Sequence, residues 1–311
     1  MTFIQTDVTA FPLPRQSANF VTVSQTHKPP RSPFTRRSTA EEVTADVDLA
    51  GKTILITGCN SGLGLESMRV LAGLGAHIIG CARSREKAEM AAASAGIEIT
   101  PAACELSDFD SVAACADEVH RLGCPIDVLM CNAGIMGLPE LRQNYGLEMQ
   151  FLTNHLGHFV LVSRLLSRVL QAPAGRVVMV SSLGHYFSVP GGINFENLSG
   201  ELHYHPWTFY GQSKLANLLM SNELARRLEG TTATANAIHP GIIHTPLMRN
   251  LSGTLFNLSS LLSWPVARSV GQGAATQCYV AAAPALEGVS GAYFADCNPA
   301  RTSIHARNPD L

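Results

Sequence analysis

Tyr210 and Lys214 stand four residues apart in Tyr210-Gly211-Gln212-Ser213-Lys214. On a helix this spacing puts a phenol and an amine on one face. A neighbouring ammonium favours phenolate over phenol, so the pair predicts a Tyr210 with a lowered pKa, able to exchange a proton near neutral pH. Such pairs are common on solvated helix faces, and this one defines no site by itself. Its context comes from Thr57-Gly58-Cys59-Asn60-Ser61-Gly62-Leu63-Gly64, where three glycines join a β-branched run to a helical pattern. Glycines at such a junction let the backbone turn tightly and approach a pyrophosphate, whose charge then faces a helix N-terminus. The spacing Gly-x-x-x-Gly-x-Gly differs from the commoner Gly-x-Gly-x-x-Gly, and a plain Gly-rich turn is the alternative.

The elements that must carry these residues alternate strand and helix from Lys52 onward, as βαβ units do in a parallel sheet. Strands are expected at 53–57, 77–81, 97–99, 128–131, 177–180, 235–238 and 292–294. Helices are expected over 62–75 (Leu65, Met68, Leu71 and Leu74 on one face), 84–95, from about Ser107, 148–171, and from Tyr210 to about Glu229, stopping at Gly230. Seven strands in this order describe a doubly wound α/β domain over 48–311, behind an N-terminal extension over 1–47.

At 311 residues, 46% hydrophobic, the chain is long enough for one large core. A formal net charge of −2 argues for neither nucleic acid nor an anionic membrane as partner. The eight cysteines include no Cys-x-x-Cys pair, which points to a reduced compartment such as the cytoplasm and to no zinc site. No apolar run reaches the ~18 residues of a membrane span. Residues 1–37 carry Arg15, Lys28, Arg31, Arg36 and Arg37 against Asp7, without the apolar core of a secretory signal. They read as a disordered tail or a packing arm, with an organelle-targeting peptide as the alternative.

Cofactor type is legible after the second strand. An acidic residue there would bind the 2′-hydroxyl of NAD, but nineteen residues after Gly64 stands Arg83. A guanidinium suits a 2′-phosphate, which favours NADP over NAD. Glu105 is placed either to accept from the adenine amino group or to sit in solvent. His185, His203 and His205 lack a spaced carboxylate or Cys, and read as surface loop histidines, with no metal.

With both motifs in view, the chain resembles the short-chain dehydrogenase/reductase family over nearly all of 48–300. Within it, the likeness is to the branch of retinol dehydrogenases, WW-domain oxidoreductase-like proteins and protochlorophyllide reductase. The resemblance rests on the glycine loop, Asn132-Ala133-Gly134, Asn154-His155-Leu156-Gly157-His158, Ser181-Ser182, Tyr210/Lys214 with Ser213 to Asn217, His239-Pro240-Gly241 with Thr245, and Ser38 to Thr44. It implies a Rossmann sheet of seven strands and a hydride-transfer enzyme using NADP(H). Tyr210 is then the general acid/base, Lys214 lowers its pKa and holds the nicotinamide ribose, and Ser182 (or Ser181, one register away) hydrogen-bonds the substrate oxygen. Asn154 fixes a helix bend and a relay water. Cofactor contacts are implied for Gly58, Asn60, Ser61, Gly62, Leu63 and Gly64, for Arg83, Glu105 and Leu106, and for Asn132, Ala133 and Gly134. Further contacts fall to Pro240, Gly241, Ile243 and Thr245. The resemblance also implies a homodimer or tetramer through the helices at 150–171 and 210–229, where Leu218, Leu219 and Leu224 form a second apolar stripe.

Two departures stand out: Glu105 replaces the family's usual Asp, and the chain stops where relatives often add a helix. The 28-residue interval from Ser182 to Tyr210, with Phe187, Val189, Ile193, Phe195, Tyr204 and Trp207, and the stretch Leu247 to Trp264, either cover an apolar alcohol or carbonyl substrate or are ordinary packing. Two other functions share these residues: an NADP(H) sensor or scaffold without turnover, and a C=C reductase.

Overall fold

Strand β1 (Thr53–Thr57) is buried at all five positions. Its alternation sends Ile54 and Ile56 into one apolar cluster and Leu55 into another. A strand sealed on both faces belongs to the middle of a parallel sheet. The computed structural model describes residues 29–243, 268–308 and 310–311. Thr245 and the stretch Leu247 to Trp264 lie outside the described residues, as does the start of the N-terminal extension.

Beside β1 run β2 (His77–Ala82), β3 (Thr100–Ala103), β4 (Val128–Cys131), β7 (Arg176–Val180), β8 (Thr234–His239) and β9 (Tyr293–Ala295). Their order is β3-β2-β1-β4-β7-β8-β9, all parallel, and a two-residue β10 (Asn298–Pro299) adds an antiparallel edge. A small ribbon, β5 (Gln143–Asn144) with β6 (Leu147–Glu148), stands apart. The order reverses between β1 and β4, so a crevice opens beyond their C-terminal ends.

Helices α1 (Ala40–Val43), α2 (Gly62–Gly73), α3 (Arg85–Ala95) and α8 (Val270–Ala282) pack on the Ile54/Ile56 face. Helices α4 (Phe109–Leu122), α6 (Gly157–Leu170) and α7 (Pro206–Arg227) cover the Leu55 face. Short α5 (Met149–Phe151) runs into α6 through a π turn, Leu152–Leu156. The single helix expected over 148–171 is therefore widened in its second turn, at Asn154.

The third strand begins at Thr100, not at Ile97. Ile97 and Ile99 alternate like strand residues but lie before it, packed against the core. Pro101 hides the true strand in the sequence. It is tolerated because Cys104 N donates to Ala82 O and, by alternation, position 101 turns away from β2 to the open edge. The helix expected from about Ser107 starts at Phe109, capped by Asp108.

The second apolar stripe of α7 is covered in part by the chain itself, with Leu219 half-buried. Leu218 and Leu224 are buried in the subunit's own core, and the turn Leu183–Phe187 and the terminal turn His305–Arg307 lie along the helix. At the other end, Ser32 Oγ donates to Cys297 O (2.9 Å) and Phe34 meets the Tyr279 ring edge-on, so this part of the extension covers the edge hairpin. A Thr39/Glu42 capping box starts α1, and Arg69 ties Glu41 to Glu66.

Candidate active site

The glycine loop leaves β1 with positive φ at Gly58 (69°) and Gly62 (54°). A Cβ on Gly58 would sit 3.0 Å from both carbons of Ala133. One on Gly64 would overlap Gly58 O and approach Asn132 Nδ2 to 2.6 Å. Side chains are thus excluded where loop and β4 end meet, and the backbone itself forms the wall. Ser61, at the N-cap of α2, makes no side-chain cap. Asn60 and Ser61 thus lead into α2, whose first residue is Gly62 and whose N-terminal amides Ser61 leaves without a side-chain cap.

Thr57 locks this wall to the next strand. Its hydroxyl accepts from Asn132 N and Ala133 N, each at 3.0 Å, and lies 2.8 Å from His158 Nε2. His158 Nδ1 lies 2.9 Å from Asn154 O, a carbonyl that can only accept. Burial lowers the His158 pKa to about 4, so the ring is neutral, its proton is on Nδ1, and Thr57 donates to Nε2. Asn132 is consumed in the same bracing: Nδ2 donates to Thr57 O (2.8 Å) and Oδ1 accepts from Gln277 Nε2 (3.3 Å). Gly134 lies over the other half of the site, where an added Cβ would sit 3.1 Å from Asn154 Oδ1 and 3.5 Å from Lys214 Nζ.

Asn154, in the π turn, accepts from Ile135 N (2.8 Å) and donates to Ile135 O (2.9 Å) and Ser213 Oγ (3.0 Å). Of the two serines, Ser181 is buried and spends its hydroxyl on Lys214 O (2.7 Å). Ser182 is the one whose hydroxyl faces the site, beside the Tyr210 ring at Gly184. The turn after it presses on the phenol: a Cβ on Gly184 would come within 2.6 Å of Tyr210 Cε1. Lys214 Nζ lies 5.7 Å from the Tyr210 ring centre and donates to Val180 O (3.0 Å).

Electrostatics correct the expectation of a lowered phenol pKa. Tyr210 is held above its usual value by burial, with the nearby Ser182 hydroxyl pulling the other way. Burial brings Lys214 down to about 8. Desolvation wins because the amine is aimed at the Val180 carbonyl, and it favours the neutral forms of both groups. The protein alone therefore stores the proton on Tyr210.

The other positions expected to touch a cofactor divide. Arg83 is exposed and, among the described residues, makes no ion pair, whereas neighbouring Arg85 is taken by Glu118 (2.5 Å) and Pro101 O (2.6 Å). Glu105 turns back on its own loop, accepting from Ser107 N (3.1 Å) and Ser107 Oγ (2.8 Å), so one carboxylate oxygen is spent on loop closure. Leu106 is buried under the first residue of α6: a Cβ on Gly157 would lie 2.8 Å from Leu106 Cβ. Leu63 and Ile243 share one patch on α8, each within 2.8 Å of a Cβ built on Gly273. Pro240 O accepts from Arg268 (3.4 Å), whose guanidinium lies against Gly241 and pairs with Asp296 (2.5 Å).

Several bracing residues carry no sequence signal of their own. Gln277, on an otherwise apolar helix, also donates to Ser67 Oγ (2.6 Å). Gln150 links the lip beyond Gly134 to the start of α7, accepting from Gly137 N (2.8 Å) and donating to Pro206 O (3.0 Å). His185 is buried, not a surface histidine, while His203 and His205 are exposed. Among the described residues no three His, Cys, Asp or Glu side chains gather as a metal site would require. Phe187 and Phe195 are exposed beyond the Ser182 turn, and Trp207 meets the Tyr210 ring edge-on at 6.4 Å.

Buried His158 and His239 give the fold an acid limit. Both have their pKa lowered to about 4 by burial. An unfolded histidine takes up its proton near pH ~6.5, so the stability each contributes is present above that pH and is lost as pH falls toward 4. Urea unfolding at pH 7.5 and 4.5 should differ by roughly 2–3 kcal/mol per histidine. Equal stabilities would contradict neutral burial.

A glycine-walled crevice at the switch point, with a phenol and an amine on the helix beyond it, defines an α/β oxidoreductase of the nicotinamide-dependent kind. The chain belongs to the short-chain dehydrogenase family, whose profile, short chain dehydrogenase, matches residues 52–255. Within the family it falls in the retinol dehydrogenase branch. It is 40% identical over 299 residues to short-chain dehydrogenase TIC 32 B, chloroplastic, of Brassica napus, covering 92% of this chain and 93% of that protein. It is 41% identical over 267 residues to human (Homo sapiens) retinol dehydrogenase 14, covering 79% of each. A crystal structure from Mycobacterium paratuberculosis, 34% identical, superposes with a TM-score of 0.67 over 86% of this chain and 91% of that one.

Proposed function

We propose that this chain uses NADP(H) to move a hydride between nicotinamide and an apolar alcohol or carbonyl compound. The observation that carries the reading is a convergence of side chains: the Ser182 turn packs on the Tyr210 ring at Gly184, Lys214 Nζ lies 5.7 Å from that ring's centre and Asn154 lies against Gly134, in the crevice that the glycine loop walls. The described residues fit a dinucleotide, since Gly58, Gly64 and Gly134 leave a cradle that side chains would fill. When bound, the dinucleotide supplies or accepts the hydride. Tyr210 gives the substrate oxygen its proton in reduction and takes it back in oxidation, and Ser182 steadies that oxygen by hydrogen bonding. Lys214 offers its amine to the ribose hydroxyls and Asn154 holds the π turn open beside it. Loop amides take the pyrophosphate, and Arg83 takes the 2′-phosphate. Apolar Phe187, Phe195 and Trp207 at the mouth support an apolar substrate.

The test is a panel of apolar aldehydes, ketones and alcohols followed by NADPH absorbance, with NADH in parallel. Product analysis separates carbonyl from C=C reduction. Tight NADPH binding without turnover on the panel would favour a sensor instead. Arg83→Asp should weaken NADPH by about 10–100-fold while sparing NADH, as expected for losing a charge-assisted contact. Unchanged cofactor preference would remove Arg83 from the phosphate site. No helix among the described residues is long and apolar enough to cross a membrane. All eight cysteines are free, which supports a reducing compartment.

A further inference from the structure

His185 joins the serine turn to the C-terminal strap. Its ring is fully buried. One ring nitrogen, Nδ1, lies 2.6 Å from Ser182 O, and the other, Nε2, accepts from Ser303 N at 3.1 Å. A carbonyl can only accept and an amide N–H can only donate, so the two partners fix a neutral ring with its proton on Nδ1. Tyr186 (4.2 Å) and the edge of Tyr293 (5.4 Å) hold the ring plane.

The strap is tied at both ends of this contact. Tyr186 OH donates to Arg301 O (3.2 Å), Ala306 N donates to Ser303 Oγ (3.4 Å), and Asn222 of α7 donates to Ala306 O (2.9 Å). A closed ring of contacts results: Ser182, His185, Ser303, Ala306, Asn222, then back along α7 to Tyr210, whose ring packs on Gly184 of the serine turn. Serine turn and tyrosine helix are thus held at a fixed separation by a segment remote from both in sequence.

We propose that His185 is a positioning residue, which sets Ser182 against Tyr210 by coupling the serine turn to the strap of residues 301–306. This rests on the hydride-transfer reading above for its effect on rate, but not for the coupling itself. A merely space-filling histidine would be replaceable by an aromatic ring of similar size, since the stacking would survive.

The experiment compares wild type with His185→Phe, His185→Asn, Asn222→Ala and the double variant His185→Phe/Asn222→Ala. Amide hydrogen exchange is read at Gly184, whose N–H donates to Ser182 Oγ (3.0 Å), and at Ser303. His185→Phe should lose protection at both amides, lower kcat about 10–50-fold and leave the NADPH Kd within about threefold. Asn222→Ala should lower kcat about 3–5-fold, and the double variant should be no slower than His185→Phe, because both cut one ring. Additive losses, or a Gly184 amide as protected in His185→Phe as in wild type, would overturn the inference. Should His185→Phe not fold, His185→Asn carries the test. Its amide retains the donor to Ser182 O but does not reach Ser303, so only Ser303 should lose protection. Loss at neither amide overturns the proposal. A wild type with no turnover on any substrate defeats the functional reading, while the exchange results still decide the coupling.

Discussion

Tyr210→Phe is expected to lower kcat by about a thousandfold, with the NADPH Kd within about threefold of the parent. The ring is held by its surroundings, with Gly184 pressed on one edge and Trp207 meeting it at 6.4 Å, so phenylalanine keeps the packing and deletes one oxygen. That oxygen belongs to the phenol packed on the Ser182 turn, and it can carry a proton to a substrate oxygen. Burial raises its pKa and lowers that of Lys214 to about 8, so the resting pair is neutral at pH 7 on the phenol and only partly neutral on the amine. Carbonyl reduction therefore begins with its proton in place, and alcohol oxidation gains as pH rises toward the phenol's elevated value. Stopped-flow single turnovers with NADPH would separate loss of chemistry from loss of binding. A Tyr210→Phe enzyme with full activity would take the proton from elsewhere and end the acid/base assignment.

What was legible in the sequence shares one property, which is local spacing. Tyr210 and Lys214 are set by helical spacing, the three loop glycines by a tight turn between strand and helix, and the strands at 53–57 and 128–131 by short apolar runs, and the structure places each in that element. What was hidden joins distant positions. Thr57 meets His158 across 101 residues, His185 meets Ser303 across 118, and Asn132 meets Gln277 across 145. In each a buried polar group finds a partner that only the fold brings to it. Ile97 and Ile99 misled for a related reason: alternation records packing, and half-buried Ile99 packs against Gly80 without being in a strand. The second stripe of α7 likewise recorded burial in the chain's own core at Leu218 and Leu224, while Leu219 is half-buried.

The same distinction between local and long-range demands makes Gly64 the most intolerant position of the loop. Gly64→Ala should lower NADPH affinity at least about 100-fold and destabilise the fold by roughly 2–4 kcal/mol, the range of a backbone-level steric conflict. Its φ is unremarkable, so an isolated helix would gain from alanine there. Space forbids it: the new methyl would overlap Gly58 O and meet Asn132 Nδ2 at 2.6 Å, and neither can retreat. Gly58 is pinned by its N–H to Cys81 O (2.8 Å), and Asn132 by its bonds to Thr57 and Gln277. Relief must come from lifting α2 off the loop, which moves the first-turn amides away from the pyrophosphate site. Gly73→Ala, at the far end of the same helix with nothing within 4 Å of the added Cβ, is the control. It should stabilise by about 0.4–1 kcal/mol and leave NADPH binding alone. Denaturant melts and NADPH fluorescence titrations on the two variants measure both effects. If Gly64→Ala bound NADPH as tightly as Gly73→Ala does, the wall between loop and β4 would not be the cofactor's cradle.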